Sequence, residues 1–253
     1  MIRFPGAFLL SVRNYSSKSK KKHLVEDYLK KQASDYYSRL AKEHSYRARS
    51  AFKLIAINEK HKVIWPGDVV VDVGAAPGSW SQVASEFVFD VVRPSKNDEI
   101  RRGYVLGVDL QPISPLPNVD FLGEADITRR STHNKIKEKL NGRLIDALIS
   151  DMAPNPTGHQ PTDHLRLIEL CRLLIRLSLP EEVNYAATSD PGFGVLPIGP
   201  KGRFLCKVFN GELIGTFLDE IRHHFRSVQL IKPAASRDSS SEMYILARNP
   251  LKF

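Results

Sequence analysis

Apolar positions along this chain follow two rhythms. Short β-branched runs bounded by Gly, Pro and Asp predict buried strands at Val69–Val73, Tyr104–Val108, Val119–Leu122, Ala147–Ser150 and Arg203–Phe209. Between them, apolar residues recur at helical spacing. A helix from about Gly78 carries Trp80, Val83, Ala84, Phe87 and Val88. A basic helix covers about Thr132–Leu140, an amphipathic one Leu165–Leu179 (opened by Thr162 and Asp163), and another Leu213–Phe225. Val228–Ile231 and Met243–Ala247 close the chain as two strands with no helix between them. Upstream, Leu24–Lys60 lacks Gly and Pro and has helical character. Ser50 is expected to cap a helix over Ala51–His61, with Phe52, Ile55 and Ala56 facing inward.

This alternation predicts an α/β fold: a doubly wound, mostly parallel, seven-stranded sheet. The closing pair predicts a hairpin, hence one antiparallel strand. Asp90–Gly103 and Pro180–Gly202 are longer than the usual connection of about 2–6 residues and are expected to be surface insertions.

Composition narrows the picture. The 253 residues are 42% hydrophobic, which suits one large folded domain with appendages. No apolar run approaches the roughly 18 residues that predict a membrane span. Cys171 and Cys206 are too few for a disulfide framework or a zinc site, and their apolar settings predict buried free thiols. No metal site is indicated. The net charge of +9 is uneven. Residues 1–53 hold 13 Lys/Arg and 4 Asp/Glu, and residues 54–253 hold 24 of each.

That excess points to an address signal, a nucleic-acid contact, or both. Residues 1–25 contain six Lys/Arg and no acid. The opening mixture of Arg, Ser and bulky apolar residues has the composition of a mitochondrial transit peptide, with a processing site after Tyr15. A basic arm and helix would then run over 16–45. Arg39, Lys42, Arg47, Arg49 and Lys53 are interleaved with Tyr36, Tyr37, Tyr46 and Phe52, as in a surface that tracks a nucleic-acid backbone.

Candidate chemistry sits where strands end, because ligands of doubly wound sheets bind outside the carboxyl ends of their strands. The first strand runs into Gly74-Ala75-Ala76-Pro77-Gly78-Ser79-Trp80. Gly74 and Gly78 permit a tight turn beneath a ligand. The pattern is neither the dinucleotide fingerprint nor a P-loop. Asp109 ends the second strand, where an acid can accept from ribose hydroxyls. Asp126 lies beyond the third, near an adenine edge, and Asp151 ends the fourth. Lys207 lies within an apolar strand, where burial is costly without a partner, and Glu242 opens the last strand. His159 and His164 are expected to be surface or capping residues.

These motifs, together with Tyr46–Leu54, Ser150–Asn155, Cys206–Phe209 and Ser241–Tyr244, resemble the FtsJ/RrmJ family of S-adenosylmethionine-dependent RNA 2′-O-ribose methyltransferases. The resemblance spans Asp35 to Arg248. It implies a Rossmann-like class I methyltransferase domain over 46–253. It places the family's Lys-Asp-Lys-Glu tetrad on Lys53, Asp151, Lys207 and Glu242. It also implies cofactor contacts at Gly74, Pro77, Gly78, Ser79, Trp80, Asp109, Asp126 and Asp151. Lys207 would take the proton of the ribose hydroxyl or hold the developing alkoxide, with the acids orienting the lysines.

The transit peptide and compact length resemble mitochondrial members that act on a uridine of the large-subunit ribosomal RNA A-loop. The expected partner is that RNA or the large ribosomal subunit precursor, in the mitochondrial matrix, and the expected state is a monomer. A tRNA anticodon-loop methyltransferase and a non-catalytic ribosome assembly factor are the rival readings. An NAD-dependent dehydrogenase is disfavoured by the glycine pattern.

Overall fold

A computed structural model describes residues 36–252, except 40, 43, 90–102, 181–193, 234 and 237–239. The transit peptide, the arm before Tyr36 and most of both expected insertions lie outside the described residues. The described elements run α1 (Ala51–His61), β1 (Val69–Val73), α2 (Ser79–Val88), β2 (Tyr104–Val108), β3 (Asp120–Leu122), α3 (Arg130–Leu140), β4 (Ile145–Ser150), α4 (Gln160–Ser178), β5 (Ile198–Phe209), α5 (Ile214–Arg222), β6 (Phe225–Ile231) and β7 (Glu242–Pro250).

The seven strands form one sheet in the order β3-β2-β1-β4-β5-β7-β6. Neighbours pair in parallel except where β7 lies antiparallel between β5 and β6. Strand order reverses between β1 and β4, which makes their carboxyl ends the topological switch point. Each face has its own core. Val71, Val73, Leu106, Val108, Leu148 and Phe204 pack against α3, α4 and α5. Val70, Val105, Ala147, Ile149, Leu205 and Leu246 pack against α1 and α2. Continuous apolar strands are required because both faces are covered. Cys171 and Cys206 are buried and free.

Several local expectations need correction. Ser50 does occupy the N-cap position of α1, but its backbone is helical (φ −62°, ψ −21°) and its side chain makes no cap bond. The amides of Ala51, Phe52 and Lys53 instead donate to the carbonyls of Ala48, Arg49 and Ser50. The hydroxyl is thereby free to meet Ser79 Oγ at 2.8 Å. The inward face of α1 is Ala51, Leu54, Ile57 and Asn58, with Lys53 also buried. Phe52 is only half-buried, because it joins a lateral cluster with the rings of Tyr37, His44 and Tyr46. Ile55 and Ala56 are half-buried as well.

Helix α4 starts five residues before the first apolar position that predicted it. Pro161 fits its first turn, where no amide partner is needed, and Thr162 and Asp163 lie inside it. His164 is not a surface residue. It is buried on α4, where its Nε2 accepts from the Leu213 amide, whereas His159 is exposed. The end of the second expected insertion is core and strand, since Val195, Leu196 and Ile198 are buried. The Leu196 amide donates to Leu177 O, and a register shift against β4 absorbs the residues before Arg203. Phe225, expected at a helix end, opens β6.

Candidate active site

At the switch point, a cleft of about 460 Å³ opens between the turns leaving β1, β2 and β4. Gly74, Ala76, Asp109, Asp126 and Asp151 line it, with Met152–Asn155 as one wall. Gly74 has φ +80°, and a Cβ built there would lie 2.3 Å from Met152 Cβ. Only glycine lets the two turns approach this closely.

Two acids of the cleft, Asp109 and Asp126, accept from backbone amides. Asp109 Oδ2 accepts from the Ala76 amide at 2.8 Å, and Oδ1 accepts from the Gln111 amide at 2.7 Å. One carboxylate thus joins two turns and keeps lone pairs for a ligand. Asp126 Oδ1 accepts from the Thr128 hydroxyl and amide, which hold the carboxyl below its usual value.

Beside this cleft, Lys53, Asp151, Lys207 and Glu242 come together as two ion pairs. Lys53 Nζ lies 2.8 Å from Glu242 Oε2. Lys207 Nζ lies 3.1 Å from Asp151 Oδ1 and also donates to the Asp151 carbonyl. The register explains the convergence. Lys207 sits directly across from Tyr244 on β7, and Glu242 is two residues earlier on the same face of β7. Lys53 projects from α1 onto that face. Burial alone would raise the Glu242 carboxyl, but the hydrogen bond and charge of Lys53, with the charge of Lys207, outweigh it and hold it low. The arrangement presents two lysine nitrogens beside a cleft whose turns can hold a polar ligand.

Pro77, Gly78, Ser79 and Trp80 are not among the residues that line the cleft. Pro77 is exposed. Gly78 has φ +105° and forms the N-cap of α2. Ser79 and Trp80 are buried, Ser79 against Ser50, and Trp80 with its ring stacked on Tyr244 at 5.6 Å and its Nε1 donating to Ser50 O.

Sequence reasoning missed two groups. Tyr244 is fully buried and its hydroxyl donates to Asp151 Oδ1 at 2.7 Å, so Asp151 is held by both Lys207 and Tyr244. Its spacing from Glu242 was the available signal. Asp72 is fully buried beneath α2, with Oδ2 accepting from Ser81 Oγ at 2.7 Å and Oδ1 without a hydrogen-bond partner. Burial pushes its carboxyl up to about 7, against the Ser81 hydrogen bond and with the charges of Asp151 and Asp109 adding to it.

This fixes a sign for pH. The native state keeps the Asp72 proton where the unfolded chain has released it, so the group's stabilisation is complete below about pH 4 and lost as pH rises through about 7. The difference is worth on the order of 4 kcal/mol at most. Asp72→Asn, neutral at every pH, should flatten the fall in urea midpoint between about pH 4 and 7. Asp68, which burial pushes up to about 6 against the charge of Arg203, leaves a residual slope of the same sign. A variant as steep as wild type would remove Asp72 from this role.

Among the described residues, no group of His, Cys, Asp and Glu suits a metal ion, and no helix is long and apolar enough to cross a membrane. Residues 46–250 match the family of FtsJ-like methyltransferases. The chain is 43% identical to a Caenorhabditis elegans protein named rRNA methyltransferase 2, mitochondrial, over 89% of this chain and 94% of that one. It is 38% identical to ribosomal RNA large subunit methyltransferase E of Anaplasma phagocytophilum, over 90% of this chain and 80% of that one. A crystal structure described as a ribosomal RNA methyltransferase from Plasmodium falciparum superposes with a TM-score of 0.64 at 26% identity, covering 82% of this chain and all of that one.

Proposed function

The chain belongs to the FtsJ-like methyltransferase family, and on that premise we propose that it transfers a methyl group from S-adenosylmethionine to a ribose 2′-hydroxyl of large-subunit ribosomal RNA. The observation that carries this reading is the pairing of Lys207 with Asp151 and of Lys53 with Glu242 at the rim of the cleft. The similarity to a protein named as a mitochondrial rRNA methyltransferase supports the mitochondrion as its place of action and ribosomal RNA as its substrate, within which the A-loop uridine is our proposed target. Residues 1–15 are then the presequence, 16–45 the RNA-binding arm and 46–253 the methyltransferase domain.

The cleft fits the methyl donor. Gly74 lets the turns after β1 and β4 close against each other, Asp109 offers lone pairs to ribose hydroxyls, and Asp126 also lines the cleft. Asp151 lines the cleft and reaches the ion pairs, which links donor site to acceptor site. Ser79 and Trp80 would contribute through their backbone, since their side chains are engaged with Ser50 and Tyr244. When bound, S-adenosylmethionine supplies a methyl group activated by a sulfonium.

Transfer is an in-line displacement, so the protein's task is to align the 2′-oxygen and to manage its proton. Lys207 Nζ is held by both the carboxylate and the carbonyl of Asp151, which fixes its direction. A ribose hydroxyl placed beside it gives its proton to that nitrogen, which takes it as a neutral amine, and the charge of Lys53 stabilises the oxygen as the O–H bond breaks. Glu242 keeps Lys53 in place, and Tyr244 keeps Asp151 in place.

A 2′-O-methylation map of mitochondrial ribosomal RNA, with and without this protein, tests the proposal. Loss of one A-loop uridine methyl is the expected result. An intact map with a methyl lost from tRNA would move the substrate, and failure of the protein to bind S-adenosylmethionine would make it an assembly factor.

A further inference from the structure

We propose that Arg47 is the clasp of the cofactor cleft rather than a contact of the RNA track. It is a positioning residue that ties the turns after β1 and β2 to each other and to the segment leading to Lys53. The inference rests on reading the cleft as the S-adenosylmethionine site. By charge alone Arg47 belongs with the basic residues around it, but its geometry differs from that of a phosphate ligand. Nη1 donates to the carbonyls of Pro77 (2.9 Å) and Ser114 (2.7 Å), and Nη2 donates to the carbonyl of Pro115 (2.7 Å). Pro77 belongs to the turn that carries Gly74 and Ala76, and Ser114 and Pro115 follow the turn that carries Asp109 and Gln111. A planar fork can reach three carbonyls in two loops, whereas a lysine ammonium is a single point.

Gly78 belongs to the same device. A Cβ there would lie 2.7 Å from Arg47 Nη1, so the glycine leaves room for the guanidinium. The backbone of the segment is fastened too. The Arg47 amide donates to Gln82 Oε1, and Gln82 Nε2 donates to Ser45 O. Trp80 Nε1 bonds Ser50 O, and the Ser50 and Ser79 hydroxyls meet. Residues 45–50 are thereby bonded along the start of α2, and α1 with Lys53 follows at once. The cofactor turn and Lys53 move as one unit, with Arg47 as its fork.

The experiment uses the full chain as wild type, Arg47→Lys and Arg47→Ala. S-adenosylmethionine affinity is measured by calorimetry, and affinity for a large-subunit rRNA fragment across a salt series. Loss of two or three charge-assisted hydrogen bonds predicts at least about 10-fold weaker cofactor binding in both variants, with lysine failing to rescue. The cofactor KM rises with it by a larger factor than kcat at saturating cofactor falls, while the salt slope of RNA binding stays near wild type. Cofactor binding that is unchanged, with RNA binding weakened by alanine, restored by lysine and flatter with salt, would overturn the clasp and make Arg47 a phosphate contact. If alanine unfolds the chain, Arg47→Lys, which keeps charge and stem, decides. A wild-type chain that binds no S-adenosylmethionine would instead overturn the reading of the cleft.

Discussion

Replacing Lys207 by alanine should lower methyl transfer by about 10²–10⁴-fold, the usual worth of a positioned acid–base group. The side chain is 8% exposed, in β5, at the centre of a hydrogen-bonded unit with Asp151 and Tyr244. Its Nζ is the nitrogen that Asp151 directs twice, so no neighbour can replace it without moving a strand. It does not line the cleft, whereas Asp151 does. Cofactor affinity should therefore change by less than the rate. Removing one member of a half-sheltered ion pair also leaves a carboxylate short of a partner, at a cost of up to about 3–5 kcal/mol if burial were complete. Asp151 keeps the Tyr244 hydroxyl and is itself 17% exposed, so the cost should be smaller and the chain should still fold. Single-turnover rates, calorimetric cofactor binding and a thermal melt separate these effects. Near-normal turnover in Lys207→Ala would remove Lys207 from the reaction.

The second large effect is expected at a residue with no functional group. Gly74→Ala should cost more than about 3 kcal/mol of stability and remove measurable cofactor binding. The new Cβ would lie 2.3 Å from Met152 Cβ and 3.0 Å from Met152 Cα. Neither is the tip of a flexible side chain, so the turn after β4 must move, and Asp151 moves with it. The left-handed φ of +80° adds about 1–2 kcal/mol of its own for any residue with a Cβ. Gly142 provides an internal control. It has φ +76° with nothing within 4 Å of its would-be Cβ, so Gly142→Ala should show the backbone term alone. Equal melting shifts for the two variants would show that contact with Met152 is unimportant.

The sheet was legible because its strands are buried on both faces. Val69–Val73 and Tyr104–Val108 emerge with their observed bounds from β-branched runs and flanking glycines. Long-range packing was not legible. Phe52 has the spacing of a core residue, yet neighbouring rings draw it sideways. The polar first turn of α4 has no apolar position to mark it, and Ile198–Gly202 lies among glycines and prolines that suggest a loop. In the candidate site, the types and order of Lys53, Asp151, Lys207 and Glu242 were visible through the family resemblance. Which lysine pairs with which acid was not, because the partners come from elements far apart in sequence and only their packing decides it. Arg47 shows the limit most clearly, since charge places it on a surface and geometry places it in a joint.

The antiparallel strand has a further consequence for the order in which the protein becomes competent. β7 enters between β5 and β6, strands already laid down before it, and brings Glu242 and Tyr244 with it. The Lys53–Glu242 pair closes a loop of 189 residues, and Tyr244 reaches Asp151 across 93. Contacts of such separation form late, because loop closure must be met before they return anything. Until β7 inserts, β5 has an open edge, Asp151 lacks its tyrosine and Lys53 lacks its acid. Completion of the sheet and pairing of Lys53 with Glu242 are thus a single event, and a chain whose β7 has not inserted holds neither Glu242 nor Tyr244 against its partner.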